Sequence, residues 1–426
     1  MKKVLMCFLM LIIGLTFFIT PKNASAQSDY TPVINDTEEF LEEFLQDCYD
    51  RTSFSEAEKD AAQWIAQKFD SFGLNTEIQE FDAEYNGKKM SSQNVIGALD
   101  FERHKQVIIC AHYDNIYGSN DIEGFGAEGA YNNATGVAVL LSLAKHFGEL
   151  KQQDENFALD FNIIFLALGA EEVGLHGSYY YVSQMLPKQI SNTLLAIDLD
   201  CVGGGDYLYL YCDELETVHE RFIKQIADNN SLPLRLPPVN KKTLPASTPV
   251  TPYIHYGLNS ANLYFMSVGV NSAHFFSRNW HTNNKIGMVE SENNPTIIYT
   301  KDDNLKTLRR LYGDTFIQKM NAVADIIFYA LTDSEFTQSM EKSAAQRPNY
   351  NWLINGSLMA YIKLGLIVIM GIIVFFLIRN FTARYPVPVI TIKPTPPPTV
   401  FGDEYDKKDT DQKDNNQPPQ NPFEGY

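Results

Sequence analysis

Between residues 30 and 335 the apolar positions fall into short continuous runs separated by stretches with helical spacing. KQVIICAH, LDFNIIFLAL and TLLAIDLD are apolar nearly throughout, which predicts strands buried on both faces. YLYLY predicts a further strand. EAEKDAAQWIAQKFDSF, ending at Gly73, predicts a helix, as do ATGVAVLLSLAKHFGEL, the stretch from about Gly177 to Met185 and the stretch from Glu214 to about Asn229. A long helical stretch is predicted from Asn304 to about Leu331. Strand and helix alternation with continuously apolar strands implies an α/β domain, with a mixed, mostly parallel central sheet covered by helices on both faces. Residues 230–256 carry too many prolines for a regular element and predict a long loop at the rim of the sheet.

The two ends follow other patterns. Lys2 and Lys3, an apolar stretch from Val4 to about Thr20 and the sequence NASAQS have the layout of a signal peptide, cleaved after Ala26. Leu358 to Ile378 is long enough to span a bilayer, interrupted only by Lys363, whose stem can snorkel. Beyond Arg384 the chain is rich in Pro, Asp, Lys, Asn and Gln and predicts a disordered tail. The organisation expected is therefore a signal peptide over 1–26, an extracellular domain over 27–340, a stalk over 341–357, a transmembrane helix over 358–378 and a cytoplasmic tail over 379–426. In that arrangement the protein is a single-pass protein of the cell membrane, anchored by its C-terminal helix. The Pro-rich tail is read either as a solvated spacer or as the docking segment for a protein partner.

Composition narrows the functional classes. The 426 residues include 45% apolar and 12% aromatic side chains, enough for a substantial core. A net charge of −18 argues against a nucleic-acid partner, which needs clustered Lys and Arg. The five cysteines have no zinc-finger spacing and no disulfide framework, although one bridge stays open.

Polar residues interrupt the pattern where strands end. His112 and Asp114 follow one predicted strand, Glu171 and Glu172 the next, and Asp198 and Asp200 close a third. In an open α/β sheet the carboxyl ends of strands converge on one crevice, where ligands bind. Imidazole and carboxylates delivered there suit zinc with an open position for water. Adjacent glutamates leaving a strand point apart, so one can hold a metal while its neighbour takes a proton.

In order, HYD, GAYNNATG, GAEEVGLHGS, IDLDCVG and WHT resemble the exported zinc aminopeptidases with two co-catalytic metals, a family related to glutamate carboxypeptidase, the transferrin receptor and nicastrin. The resemblance runs from about Arg51 to Leu331 and implies the zinc exopeptidase fold. It implies metal ligands at His112, Asn132, Glu172, Asp200 and His281, an orienting role for Asp114 and a general base at Glu171. Asp198 and His176 match positions that are not ligands, and both are expected to be structural. The implied substrates are peptides with a free N-terminus.

Four positions depart from the family pattern. Asn132 stands where a carboxylate bridges both zincs, Lys285 where an Asp is usual, Ser260-Ala261-Asn262 where Ser-Asp-His is frequent, and Trp280 where many relatives have Tyr. With Asn132 neutral, two zinc ions and a hydroxide would leave one uncompensated positive charge in a crevice of low dielectric. One or two zinc ions are therefore expected, the second the weaker. Two functions are consistent with this: a membrane-anchored extracellular metallo-aminopeptidase, or an inactive ectodomain of the same fold used for binding or assembly. A single-zinc cyclase acting on N-terminal glutamine is a weaker third, because that fold uses the carboxylate missing at Asn132.

Overall fold

The computed structural model describes residues 31–118, 126–212, 217–237, 260–280 and 289–346, together with Met370 and Val374. The expected signal peptide, almost all of the transmembrane segment, the tail, the greater part of the Pro-rich loop, His281 and Lys285 lie outside the described residues. The chain divides into two units, Met1–Arg347 and Pro348–Tyr426. All named helices and strands belong to the first; in the second, Met370 and Val374 are helical and exposed. Among the described residues no helix is long and apolar enough to cross a membrane.

The elements run α1 (Thr37–Asp47), α2 (Glu56–Ser71), β1 (Asn75–Tyr85), β2 (Lys88–Leu99), β3 (Gln106–His112), α3 (Thr135–Gln153), β4 (Asn162–Leu168), α4 (His176–Gln184), α5 (Pro187–Asn192), β5 (Thr193–Leu199), β6 (Tyr207–Cys212), α6 (Val218–Asn229), α7 (Asn262–Ser267), β7 (Ser272–Arg278), α8 (Leu305–Tyr312), α9 (Thr315–Thr332) and α10 (Phe336–Gln346). Seven strands form one mixed sheet in the order β1-β2-β4-β3-β5-β7-β6. Its centre, β4-β3-β5-β7, is parallel, and the pairings β1 with β2, β2 with β4 and β6 with β7 are antiparallel.

The apolar runs become double-faced strands, as their composition requires. On β3, Val107, Ile109 and Ala111 join the larger core with α1, α2, α3 and α9, while Ile108 and Cys110 join a smaller one with Val182 of α4 and Phe265 of α7. Alternate residues of a strand point to opposite faces, so both layers draw on one run.

Three differences from the sequence-based expectation have simple causes. The hairpin β1-β2, absent from that expectation, turns on Asn86-Gly87 with φ of 51° and 69°, the left-handed pair that a two-residue hairpin loop needs. The long helical stretch contains a break absent from the expectation, because Gly313, at φ 54°, ends α8 before α9 begins. The first residues of the expected stalk, 341–346, belong to α10 instead, where Phe336 and Met340 are buried and the Ser343 hydroxyl lies 2.7 Å from His219 Nδ1. Cys48, Cys110, Cys201 and Cys212 are buried.

Candidate metal centre

The neighbouring parallel strands β4, β3 and β5 end side by side, and each delivers polar residues at its carboxyl end. His112 is the last residue of β3, Glu171 and Glu172 come after β4 beyond Gly169-Ala170, and Asp200 comes directly after β5. A π-helical turn, Ala130–Ala134, brings Asn132 in from the start of α3. His112 Nε2 lies 3.2 Å from Asn132 Oδ1, 3.8 Å from Asp200 Oδ1 and 3.9 Å from Glu172 Oε1. The Asn132 amide donates from Nδ2 to Glu172 Oε1 at 2.5 Å.

Asp114 is fully buried. Its Oδ2 accepts from Ser53 Oγ at 2.7 Å and from the Glu172 N–H at 3.0 Å, which leaves Oδ1 facing His112 Nδ1 at 3.4 Å. The two glutamates do point apart. Glu171 turns toward the first turn of α4, where it accepts from the Ser178 N–H at 2.6 Å and the Ser178 hydroxyl at 2.8 Å. Burial pushes the Glu171 carboxyl up to about 8 against those two bonds, and the Glu172 carboxyl up to about 7 against the neighbouring His112. Burial also opposes ionisation of Asp200, but the His112 imidazole beside it prevails and holds that carboxyl below its ordinary range.

Residues without any standing in the sequence pattern assemble this arrangement. Asn133, fully buried, donates to the Leu199 carbonyl at 2.8 Å and the His112 carbonyl at 3.3 Å, and accepts from Cys201 N–H at 2.9 Å and Gly136 N–H at 3.2 Å. It ties the ends of β3 and β5 to the start of α3. Gly136 permits that approach, since a Cβ there would stand 2.4 Å from Asn133 Oδ1 and 2.5 Å from the Leu199 carbonyl. Asp303 accepts from the backbone N–H groups of Tyr131 and Asn132, at 2.6 and 3.1 Å. The buried Arg51 guanidinium donates to the carbonyls of Tyr113, Cys48, Glu128 and Gly129. Glu58, also buried, accepts the Ala170 N–H just before the glutamate pair. Asn133 was visible as the second residue of NN, whereas nothing in the sequence separates Arg51 or Asp303 from solvated charges.

Backbone strain concentrates here. Of eight non-glycine residues with left-handed φ among the described residues, Phe54, Ala170, Leu175, Cys201 and Tyr299 lie in loops that carry or brace the site. Each costs on the order of 1 kcal/mol and persists where surrounding contacts dictate it, as at binding and catalytic sites.

Asp198 and His176 take other places. Asp198 Oδ2 accepts the Asn262 N–H at 3.1 Å beside His274, and the half-buried His176 ring lies 5.7 Å from that of Phe54. Trp280 donates its indole N–H to the Tyr211 hydroxyl at 2.7 Å, so that N–H is directed into the core.

The donor set suits a divalent cation on one side of Asn132. Asp200 Oδ1 is buried and without a hydrogen-bond partner, facing the same His112 nitrogen that Asn132 Oδ1 faces. Oxygen and imidazole donors so placed are those zinc accepts. Among the described residues no three His, Cys, Asp or Glu side chains close into a ligand cluster, and the Asn132 amide lies among them instead.

Residues 94–299 match the model of peptidase family M28. The alkaline phosphatase isozyme conversion protein of Escherichia coli (strain K12) is 30% identical over 174 residues, 37% of this chain and 48% of that protein. Aminopeptidase YwaD of Bacillus subtilis (strain 168) is 33% identical over 116 residues, 26% of this chain and 22% of that protein. BOS complex subunit NCLN of Canis lupus familiaris is 28% identical over 147 residues, 32% of this chain and 25% of that protein. The chain thus spans about half or less of the length of these relatives. BSAP, a zinc aminopeptidase from Bacillus subtilis, shares the fold with a TM-score of 0.51 at 15% identity, over 70% of this chain and 96% of that one.

Proposed function

From the match of residues 94–299 to peptidase family M28 we propose that the chain is a member of that family and a metallo-aminopeptidase, releasing N-terminal residues from peptides outside the cell. The observation that supports this reading is the convergence of His112, Glu171, Glu172 and Asp200 at the carboxyl ends of three adjacent strands, two of them within 4 Å of one His112 nitrogen.

His112 and Asp200, with the Asn132 carbonyl, would hold zinc; Glu172 and His281 match the two remaining ligand positions of the family pattern. Bound there, zinc supplies Lewis-acid activation of water and of the peptide carbonyl. Asp114, anchored by Ser53 and the Glu172 N–H, fixes the His112 ring by its contact at Nδ1. Glu171 takes a proton from the attacking water and passes it to the departing amine, a task suited to a carboxyl raised toward neutrality. The purified full chain is expected to hydrolyse aminoacyl-anilides, to lose that activity on chelation and to regain it with zinc. Failure of the zinc-loaded protein to do so would sink the enzyme reading.

A second reading, an inactive module for binding or assembly, is favoured by Asn132 and by the similarity to a subunit of the BOS complex. Location forms part of the proposal, with the N-terminal segment exporting the domain and residues 358–378 anchoring it. Protease added to intact cells should remove residues 30–335 and spare the tail beyond Arg384. A digested tail with a protected domain would reverse the orientation.

A further inference from the structure

The amide of Asn132 is not symmetrical, and its surroundings fix which end points where. Nδ2 meets the Glu172 carboxylate at 2.5 Å, and an ionised carboxylate can only accept. Oδ1 accepts from the Cys201 thiol at 3.2 Å and lies 3.2 Å from His112 Nε2. Exchanging the two ends would set a carbonyl oxygen against a carboxylate and an amide NH2 against a thiol. The backbone is held as well, by Asp303 on the N–H of Tyr131 and Asn132 and by Asn133 across the ends of β3 and β5.

A carboxylate at this position would present an oxygen to each side. The amide presents an oxygen toward His112 and Asp200, and two N–H protons toward Glu172. A cation beside Glu172 would therefore face a donor in place of an acceptor. Charge points the same way, since one divalent ion is balanced by Asp200 and Glu172, whereas two would carry four positive charges against those two carboxylates.

We infer that Asn132 divides the centre, so that it takes a single divalent cation on the His112 and Asp200 side, while the bond from Asn132 to Glu172 closes the other side to a second. This rests on the metallopeptidase reading of the crevice and deepens it: Glu172 becomes a partner of Asn132 rather than a ligand.

The test is zinc titration of the chelator-stripped full chain, read as equivalents bound and as affinity against a chromophoric zinc indicator. One equivalent is expected for the wild type and two for Asn132→Asp. Glu172→Gln should keep one equivalent, with affinity lowered by about 10-fold because a balancing charge is lost but no ligand, whereas Asp200→Asn, which removes a ligand, should weaken binding by more than about 100-fold, above the 10- to 100-fold typical of losing an outer partner. The Glu172 and Asp200 variants decide the matter even if Asn132→Asp does not fold. Two equivalents in the wild type, one in Asn132→Asp, or loss of zinc in Glu172→Gln would overturn the inference while leaving a metal centre in place. No zinc in either the wild type or Asn132→Asp would overturn both the inference and the metallopeptidase reading.

Discussion

Arg51→Met is expected to lower the stability of the folded unit by about 4 kcal/mol or more, the largest loss for any single substitution considered. The guanidinium is fully buried and forks among four carbonyls, at 2.5 Å to Tyr113, 3.1 Å to Cys48, 2.7 Å to Glu128 and 2.9 Å to Gly129. Those carbonyls belong to the end of α1, the loop after β3 and the turn leading to Asn132. A hydrogen bond from a charged donor contributes about 1.5 to 3 kcal/mol, and methionine would leave these acceptors buried without it. The positive charge matters too, because Asp303, Asp114 and Glu172 all interact with Arg51. Burial, opposed by those neighbouring charges, draws its pKa down to about 10. Arg51→Lys keeps a charge but has a point-like ammonium in place of a planar fork, and should recover only part of the loss. Thermal unfolding of the three proteins checks this, with a fall of about 8 °C or more expected for methionine. A fall under about 2 °C would mean that the loops stand without the guanidinium.

The contrast between Arg51 and His112 shows which kinds of role can be read along a chain. His112, Glu171, Glu172 and Asp200 stood out because each ends an apolar run, and the parallel sheet carries strand ends to one edge whatever the loops do. Asp303 was hidden, since its partners Tyr131 and Asn132 lie about 170 residues earlier and its neighbours KDDN look like an ordinary solvated turn. The hairpin at Asn86-Gly87, the break at Gly313 and the buried Phe40, Leu41, Phe44 and Leu45 of α1 carried local signals and were legible in principle. The polarity of the Asn132 amide was not. It depends on Glu172 and Cys201, which the fold alone brings to opposite ends of one side chain.

Glu171→Gln is expected to lower turnover of aminoacyl-anilides by about 10²- to 10⁴-fold, the range general-base removal produces, with zinc content unchanged. The substitution keeps the shape of the side chain. Its amide oxygen can still accept the Ser178 N–H now bonded at 2.6 Å, and the Ser178 hydroxyl, 2.8 Å from the other oxygen, can rotate to accept from the new NH2. The first turn of α4 should therefore stay seated, and the melting temperature should remain within about 3 °C, roughly 1 kcal/mol for a domain of this size. The lost feature is a group able to accept a proton. Wild-type turnover should rise with pH as Glu171 ionises, with a midpoint at or below about 8, because burial raises the carboxyl and a cation in the centre pulls it back down. The residual activity of the glutamine variant should lack that limb. Turnover equal to wild type would assign the base elsewhere, and a variant that loses zinc together with activity would make Glu171 a ligand. If neither protein hydrolyses the substrate while both bind zinc, the centre is structural and the binding-module reading takes precedence.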